Sequence, residues 1–323
     1  MKEINLISIS GGKDSTATLL TAIERGVPNI QGIFADTGHE HPETYAYIDY
    51  LEKQTGIQIK RIKPDFTKQL KRKKEVILTK WDKEGISKER QQEAIEAIKP
   101  TGNPFLDLCL WKGRFPSSKA RFCTEELKKK PIMQYQESLL DEYDRIVVWV
   151  GVRKDESVSR SKITSQWECE FGDQRGDPKT AEGIWLYRPI LNLTADEVFA
   201  LHDKHGIKPN PLYKQGMGRV GCMPCVSCRK SELKEIGQRF EAEIARIEKW
   251  EELVSKASKI GKATFFNTTT ICKISDPTKV NIKKHGIRNA VAWAKTSRGG
   301  RQFNFFDELE EQAECSSIYG LCE

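Results

Sequence analysis

The 323-residue chain, 38% hydrophobic and 31% charged, has the composition of an ordinary globular protein, large enough for one large domain or for a core domain with an appendage. No stretch approaches the apolar run that a membrane helix needs. The N-terminus, MKEINLISIS, lacks the apolar region and cleavage site of a secretory leader, so a cytoplasmic protein with no membrane partner is expected. The net charge of +7 is a mild basic bias, densest at Lys71-Arg72-Lys73-Lys74, and is read as a solvated helix face ahead of a nucleic-acid contact.

Residues 3–9 (EINLISI) predict a short buried strand running into a glycine turn. A helical pattern follows from Asp14 to about Arg25 and is closed by Gly26 and Pro28. Residues 30–35 predict a second strand, Pro42 to about Gln54 a helix, and 57–62 a third strand. Strands alternating with helices predict an α/β fold with a mostly parallel, doubly wound sheet. The charged stretch 65–99 has helical composition and no strand signal, and 100–120, rich in Pro, Gly and Ser, reads as a loop. A helix near Thr124–Glu142 and a clear buried strand at 145–150 (RIVVWV) come next. A polar loop is expected from 151 to 183, then a strand at 184–188 and a helix from Thr194. Beyond about 206 cysteines cluster, and Ile236, Phe240, Ile244, Ile247, Trp250 and Val254 recur at helical spacing. The division expected is a nucleotide-binding core at 1–205, with a helical insertion at about 65–120, and a helical, cysteine-bearing appendage at 206–323.

Ser10-Gly11-Gly12-Lys13-Asp14-Ser15 stands where the first strand hands over to the first helix. Two glycines let the backbone approach an anion closely, and the helix N-terminus and Lys13 supply positive charge. The hydroxyls of Ser10 and Ser15 can donate to phosphate oxygens. A glycine-rich turn that merely starts a helix is the plain alternative. The loop is not a Walker A motif, because position 7 is Ile7 and Asp14 follows the lysine. Ligands of such sheets bind beyond the carboxyl ends of the strands. There stand Asp36-Thr37-Gly38-His39 with Pro42-Glu43-Thr44, then Arg121-Phe122-Cys123-Thr124-Glu125-Glu126-Leu127-Lys128, then Gly151-Val152-Arg153-Lys154-Asp155-Glu156-Ser157 with Arg160, and Tyr187-Arg188-Pro189-Ile190. Arg153 and Arg160 suit bidentate contacts to phosphate or sulfate. Asp36 suits a ribose hydroxyl or a magnesium ion. His39 and His41 show no metal-site pattern and are read as loop polar residues.

SGGKDS resembles the pyrophosphate loop of the adenine-nucleotide alpha-hydrolase superfamily. The four strand-end segments, in order, resemble those of the phosphoadenylyl-sulfate (PAPS) reductase family: its FTDTG…PET, C-T-x-x-L-K, GxRxxES-x-x-R and P-I elements. Together they cover most of residues 8–200. The resemblance implies that an adenosine nucleotide (PAPS, APS or ATP, the last with Mg2+) binds Ser10 to Ser15, Asp36, Thr37, Gly38, Arg153, Asp155, Glu156, Ser157, Arg160 and Arg188. Lys13 and Arg153 would act in catalysis.

The nine cysteines are odd in number and unevenly spaced, a poor disulfide framework, which leaves reduced thiols, metal ligands or redox chemistry. Cys222, Cys225 and Cys228 have the CxxCxxC spacing of a shared metal centre, and a ferredoxin-like fourth cysteine at 232 is absent because that residue is Glu232. The family resemblance implies Cys123 as the fourth ligand of a [4Fe–4S] cluster, although Phe122 stands where the family's cluster proteins have another cysteine. Zinc is the alternative, as is a set of Cys222, Cys225, Cys315 and Cys322. Cys109, Cys169 and Cys272 are expected to be buried thiols without a role. The tail around Glu314-Cys315-Ser316 resembles the family's Glu-Cys-Gly tail, whose cysteine attacks the sulfur of the sulfonucleotide. Here Ser316 replaces the glycine, and a disordered end is the plain alternative.

Three functions remain open at this level. The resemblance implies a sulfur-metabolism enzyme that reduces a sulfonucleotide through Cys315 and a thiol donor. The second is an ATP pyrophosphatase that adenylates an acceptor, a nucleic acid among the candidates, and receives sulfur from a persulfide donor. The third is a nucleotide-binding regulatory protein with a structural metal site and no turnover.

Overall fold

The computed structural model describes residues 1–296. Its centre is a six-stranded sheet, ordered β3 (Ile59–Ile62), β2 (Ile30–Ala35), β1 (Glu3–Ile9), β4 (Arg145–Trp149), β6 (Gly183–Tyr187) and β5 (Trp167–Phe171). Five strands run parallel and β5 pairs antiparallel with β6. The α/β expectation is met. The apolar runs LISI, GIFA and IVVW are buried on both faces, which is why they read as continuous rather than alternating. Helices α1 (Lys13–Glu24) and α2 (Pro42–Thr55) follow β1 and β2. His41 caps α2, accepting from the Glu43 amide through Nδ1 at 3.2 Å, so this histidine has a structural role at a helix start.

After β3 the chain leaves the sheet for α3 (Thr67–Val76), a π-turn at Ile77–Trp81, α4 (Lys88–Ala97) and α5 (Pro104–Lys112). The last of these corrects the expected loop at 100–120. Asn103 caps the helix, Pro104 fits its first turn, and Gly113 closes it at φ 66°, while Phe105 to Leu110 are all buried. Proline at the start and glycine just past the end delimit a helix as readily as they mark a loop. The chain returns through α6 (Phe122–Thr124), a π-turn at Glu125–Lys129 and α7 (Lys130–Leu139) to β4.

The expected loop at 151–183 holds α8 (Val158–Ser161) and the edge strand β5. In β5, Glu170 sits at a bulge between Cys169 and Phe171, and burial with the Glu168 charge pushes its carboxyl up to about 7. Helix α9 (Ala195–Lys204) has the reciprocal Thr194–Glu197 cap that its sequence announces. Beyond it come α10 (Lys230–Arg239), α11 (Glu241–Ala257), α12 (Thr268–Cys272), α13 (Ile282–His285) and α14 (Ile287–Ala294). The apolar faces of α10, α11 and α14 share one core with α3 to α5: Phe66, Trp81, Phe105 and Leu108 pack in the cluster that holds Ile236, Ile247, Trp250 and Val291. This helical body stands beside the carboxyl ends of β1 and β2. No described helix is long and apolar enough to cross a membrane.

Candidate nucleotide site

The glycine loop leaves β1 at Ile9 and enters α1 at Lys13. Gly11 has φ 83°, and a Cβ there would lie 2.7 Å from Thr44 Cγ2, so α2 packs onto this residue and excludes any side chain. Inside the loop Ser15 Oγ accepts from the Ser10 amide at 3.1 Å and donates to Gly12 O at 3.0 Å. Gly12, at the start of α1, has no side chain with which to cap the helix. The loop is held from behind by residues about two hundred positions away. Asn210 Nδ2 donates to Gly11 O at 3.1 Å, the Lys13 amide donates to Tyr213 Oη at 2.9 Å, and His202 Nε2 meets Lys13 O at 2.9 Å.

Asp14 is fully buried and does not face outward to a ligand. Its carboxylate pairs with Arg153 through Nε and lies 3.0 Å from Lys13 Nζ. Arg153 also pairs with Asp155, Arg160 with Glu156, and Arg188 with Glu168. The Arg153 backbone N–H donates to Glu156 Oε2 at 2.8 Å, and Ser157 caps α8 by accepting from the Arg160 amide at 3.2 Å. Three guanidinium groups thus stand nearly buried beyond β4 and β6, each oriented by a carboxylate partner. Asp155, Glu156 and Ser157 are placed as the supports of those arginines and of α8. Gly151 permits the approach, since a Cβ there would fall 2.8 Å from the Asp14 carbonyl carbon.

Beyond β2, Asp36 Oδ1 accepts from the Gly38 amide at 3.0 Å and from Tyr45 Oη at 2.8 Å. Thr37 Oγ1 donates to Glu40 Oε1 at 2.7 Å, and Tyr45 Oη also reaches Glu40 Oε2 at 3.0 Å. Burial and the two carboxylates push the Tyr45 hydroxyl far above its ordinary range, so it stays a donor. Lys128, nearly buried, lines a small cavity with Ser10, Phe34, Ala35, Glu40 and Gly221. His39 is no loop polar residue: it is 1% exposed and stacks on the Phe105 ring at 4.2 Å. Burial, with Arg246 beside it, pushes its imidazole well below the ordinary range. Tyr45, Glu40, His39, His202, Asn210, Tyr213 and Lys128 as a site residue all escape the sequence reading. Only the Lys128 position carried a signal, the last place of C-T-x-x-L-K.

The cysteine run is not assembled as a metal centre. Cys222 Sγ lies 3.7 Å from Glu40 Oε1 and 3.8 Å from Thr37 Oγ1. Cys225 Sγ accepts from the Ser227 amide at 3.5 Å, while Cys228 packs against the helical core, where burial pushes its thiol well up. Among the described residues no three His, Cys, Asp or Glu side chains are placed to hold a metal ion, so Cys123, Cys222, Cys225 and Cys228 as placed do not fit a cluster or a zinc ion. All seven described cysteines are unbridged, and of the thiols expected to be inert only Cys109 is fully buried. Cys315 and Cys322 lie outside the described residues.

The chain matches the family described as "Phosphoadenosine phosphosulfate reductase domain" over residues 4–228. It is 46% identical to a 37.8 kDa protein of the gpa 5' region of Escherichia phage 186, across 99% of this chain and 97% of that one. It is 24% identical to the adenosine 5'-phosphosulfate reductase of Salinibacter ruber, over 61% of this chain and 58% of the relative. For the phosphoadenosine 5'-phosphosulfate reductase of Cronobacter sakazakii the identity is 23%, over 64% of each chain. The chain therefore spans less than two thirds of these two reductases. The solved phosphoadenylyl-sulfate reductase of Candida auris, a phosphate complex, aligns with 68% of this chain and 80% of its own at 17% identity and a TM-score of 0.41.

Proposed function

The chain belongs to the phosphoadenosine phosphosulfate reductase family, and from that premise we propose that it is an enzyme that binds an adenosine phosphosulfate and reduces or transfers its sulfur. The observation that carries the reading is the loop Ser10–Ser15, with Lys13 beside it and the buried Arg153 locked onto Asp14 behind it. A phosphate would sit over the glycine loop at the positive end of α1, while Lys13, Arg160 and Arg188 add charge around a sulfonate or phosphate. Asp36 and Thr37 would meet the ribose. Residues 1–205 would supply the nucleotide site, and 206–323 would cover it and bring the cysteines.

In this reaction a thiol of the chain attacks the sulfate sulfur and the nucleotide leaves with the S–O electron pair. A thiol donor then releases sulfite as a disulfide forms. Cys315 is the nucleophile that the sequence names. Because the cysteine run as placed does not fit a metal, no step is routed through one.

A second reading draws on the half-buried rings of Trp111 and Phe122, which pack at the edge of the helical core. Lys112 Nζ stands 3.7 Å from the Trp111 ring centroid, and the Arg114 guanidinium 5.6 Å from that of Phe122. Half-buried rings interleaved with cations suit stacked bases. ATP would then be cleaved between its α- and β-phosphates, with a nucleic acid as acceptor.

The test is anaerobic incubation with PAPS, APS or ATP, assaying sulfite and pyrophosphate. Sulfite from a phosphosulfate, with no pyrophosphate from ATP, is expected. Pyrophosphate without sulfite would replace the first reading by the second. Nucleotide binding with neither product would leave a regulatory protein.

A further inference from the structure

Two recesses open side by side on the helical body and share one wall, Phe265-Phe266-Asn267 with Ser117. The first, of about 260 Å³, is lined by Arg114 and Lys262 among hydroxyl-bearing residues. The second, of about 240 Å³, is lined by Arg229, Lys230 and Trp293. Among the described residues neither lining contains an aspartate or a glutamate, although the chain carries 46 of them. Of the carboxylates next to the linings in sequence, Asp276 accepts from the Thr278 amide at 2.9 Å and Glu232 pairs with Arg219. Aromatic rings stand between these cations. Phe266, half-buried on the shared wall, packs edge-on to Phe265 with ring centroids 5.0 Å apart. Trp293, also half-buried, lies beside Lys230, whose Nζ stands 4.6 Å from the ring centroid and donates to Thr296 O at 2.7 Å. Arg114 carries the band on to Phe122, whose ring centroid is 5.6 Å from its guanidinium. Ser227 lines the second recess, and its enclosed Oγ has no hydrogen-bond partner among the described residues.

We propose that this band is a binding surface for single-stranded nucleic acid. The inference deepens the second reading, in which a nucleic acid is the acceptor, and adds where the strand lies. Each recess is smaller than the roughly 300 Å³ at which enclosed small-molecule pockets begin. Two of them, alike in size on either side of one ring, suit a ligand that repeats. A nucleotide strand repeats base and phosphate as the band repeats ring and cation. Phe266 and Trp293 take bases by stacking, while Arg114, Lys262, Arg229 and Lys230 offset the phosphate charge. Ser227 Oγ meets a base edge in the second recess. A duplex would keep its bases stacked away from the rings and meet the cations alone, so the single strand is the form that uses both.

The experiment titrates the full chain, without ATP, into fluorescein-labelled single-stranded DNA or RNA of about 12 nucleotides, within the length such surfaces cover. Binding is expected, weaker for the matching duplex, with the tighter of the two single strands naming the partner. Phe266→Leu, which keeps apolar bulk and removes the ring, and Trp293→Ala should each weaken binding roughly 5- to 150-fold. Arg229→Gln should lower the slope of log affinity against log salt by about 0.7, the value of one phosphate contact on a single strand. Lys71→Ala with Arg72→Ala, on the basic run of α3, should change nothing, and adenosine-nucleotide affinity should hold at the wild-type value throughout. Should a ring variant fail to fold, photo-crosslinking of the wild-type chain to a strand carrying iodouracil settles the surface, with label expected on the peptides holding Phe266 or Trp293. The inference is overturned by no binding, by loss with Lys71 and Arg72 in place of the rings, by crosslinks confined to other peptides, or by equal displacement with polyglutamate. Strand binding on this band with no pyrophosphate from ATP removes the second reading and leaves the surface standing. Pyrophosphate formed with a strand that the ring variants bind as tightly as wild type removes the surface and leaves that reading.

Discussion

Arg246, half-buried, and His39, buried, form a brace beside the candidate nucleotide site: Arg246 Nη2 donates to His39 Nδ1 at 3.2 Å, and His39 Nε2 meets Pro224 O at 2.8 Å. The ring is therefore neutral with its proton on Nε2, in keeping with its depressed pKa. The same Arg246 nitrogen reaches Met223 O at 2.8 Å, so one guanidinium on α11 holds both the β2 turn and the cysteine loop. Removing it leaves two buried acceptors without their donor.

Arg246→Ala should accordingly destabilise the protein by roughly 1–3 kcal/mol per orphaned acceptor. It should also raise the rate at which iodoacetamide alkylates Cys222, because the loop loses its anchor. Arg246→Lys, keeping one donor, should fall between. The checks are urea unfolding and timed alkylation read by mass spectrometry. An alanine variant that alkylates at the wild-type rate would remove Arg246 from this role.

The Arg153–Asp14 pair makes a second case, since both groups are nearly or fully buried. Arg153→Ala leaves the buried Asp14 carboxylate with Lys13 as its remaining cation beneath the glycine loop, a loss of about 1–3 kcal/mol. The double variant Asp14→Asn with Arg153→Ala should recover most of that stability and still bind nucleotide weakly, because Arg153 is gone. Thermal melts and calorimetric titration of the three variants separate folding from binding. Additive losses in the cycle would refute the coupling.

The parts legible in the sequence are those set by local physics. EINLISI and RIVVWV are strongly apolar segments bounded by turn residues, and a glycine pair after a strand announces a close backbone approach, so the sheet's centre and the Ser10–Ser15 loop were readable. Edge strand β5 was not, because WECEF carries two glutamates and is defined by pairing with β6 alone. Helix α5 was misread through its own punctuation, Pro104 and Gly113. Tyr213, Asn210 and His202 touch the phosphate loop only because the chain folds back there, and no spacing rule reaches across such a distance. The cysteine run has the spacing of a metal knot, and the Glu40–Cys222 bridge, which no spacing rule announces, sets its first thiol beside the segment that leaves β2.

Asn103 serves two masters, and two substitutions separate them. Its Oδ1 caps α5 by accepting from the Leu106 amide at 3.0 Å, while its Nδ2 donates to Gly38 O at 2.6 Å. Asn103→Asp should keep the cap and lose the Gly38 contact, setting a carboxylate against a carbonyl. Asn103→Ala loses both, at about 1–2 kcal/mol for the cap alone. Nucleotide affinity should fall in both variants, and the melting temperature more in the alanine one. An aspartate variant with wild-type affinity would show that Gly38 does not need this anchor.

The last prediction concerns pH and the helical body. Glu251 is 1% exposed, with Oε1 accepting from the Phe265 amide at 2.7 Å and Oε2 from the Ile287 amide at 2.9 Å. Burial pushes its carboxyl up to about 7, against the pull of those two amides, and the Glu248 charge adds to the rise. The folded value lies above the unfolded one of 4.5, so the folded state holds the proton more tightly. The stabilisation is fully present below pH 4.5 and is lost as pH rises through about 7. The gap corresponds to roughly 3 kcal/mol between the two limits. Glu251→Gln cannot ionise. It gives up one acceptor, at about 1–3 kcal/mol independent of pH, so it should be the less stable protein at pH 5 and close the difference, or reverse it, at pH 8. Urea unfolding of both proteins at the two pH values gives the comparison, in which the other titrating groups cancel. Equal pH dependence in wild type and variant would show that Glu251 does not titrate in this range, and that the two amides hold it ionised throughout.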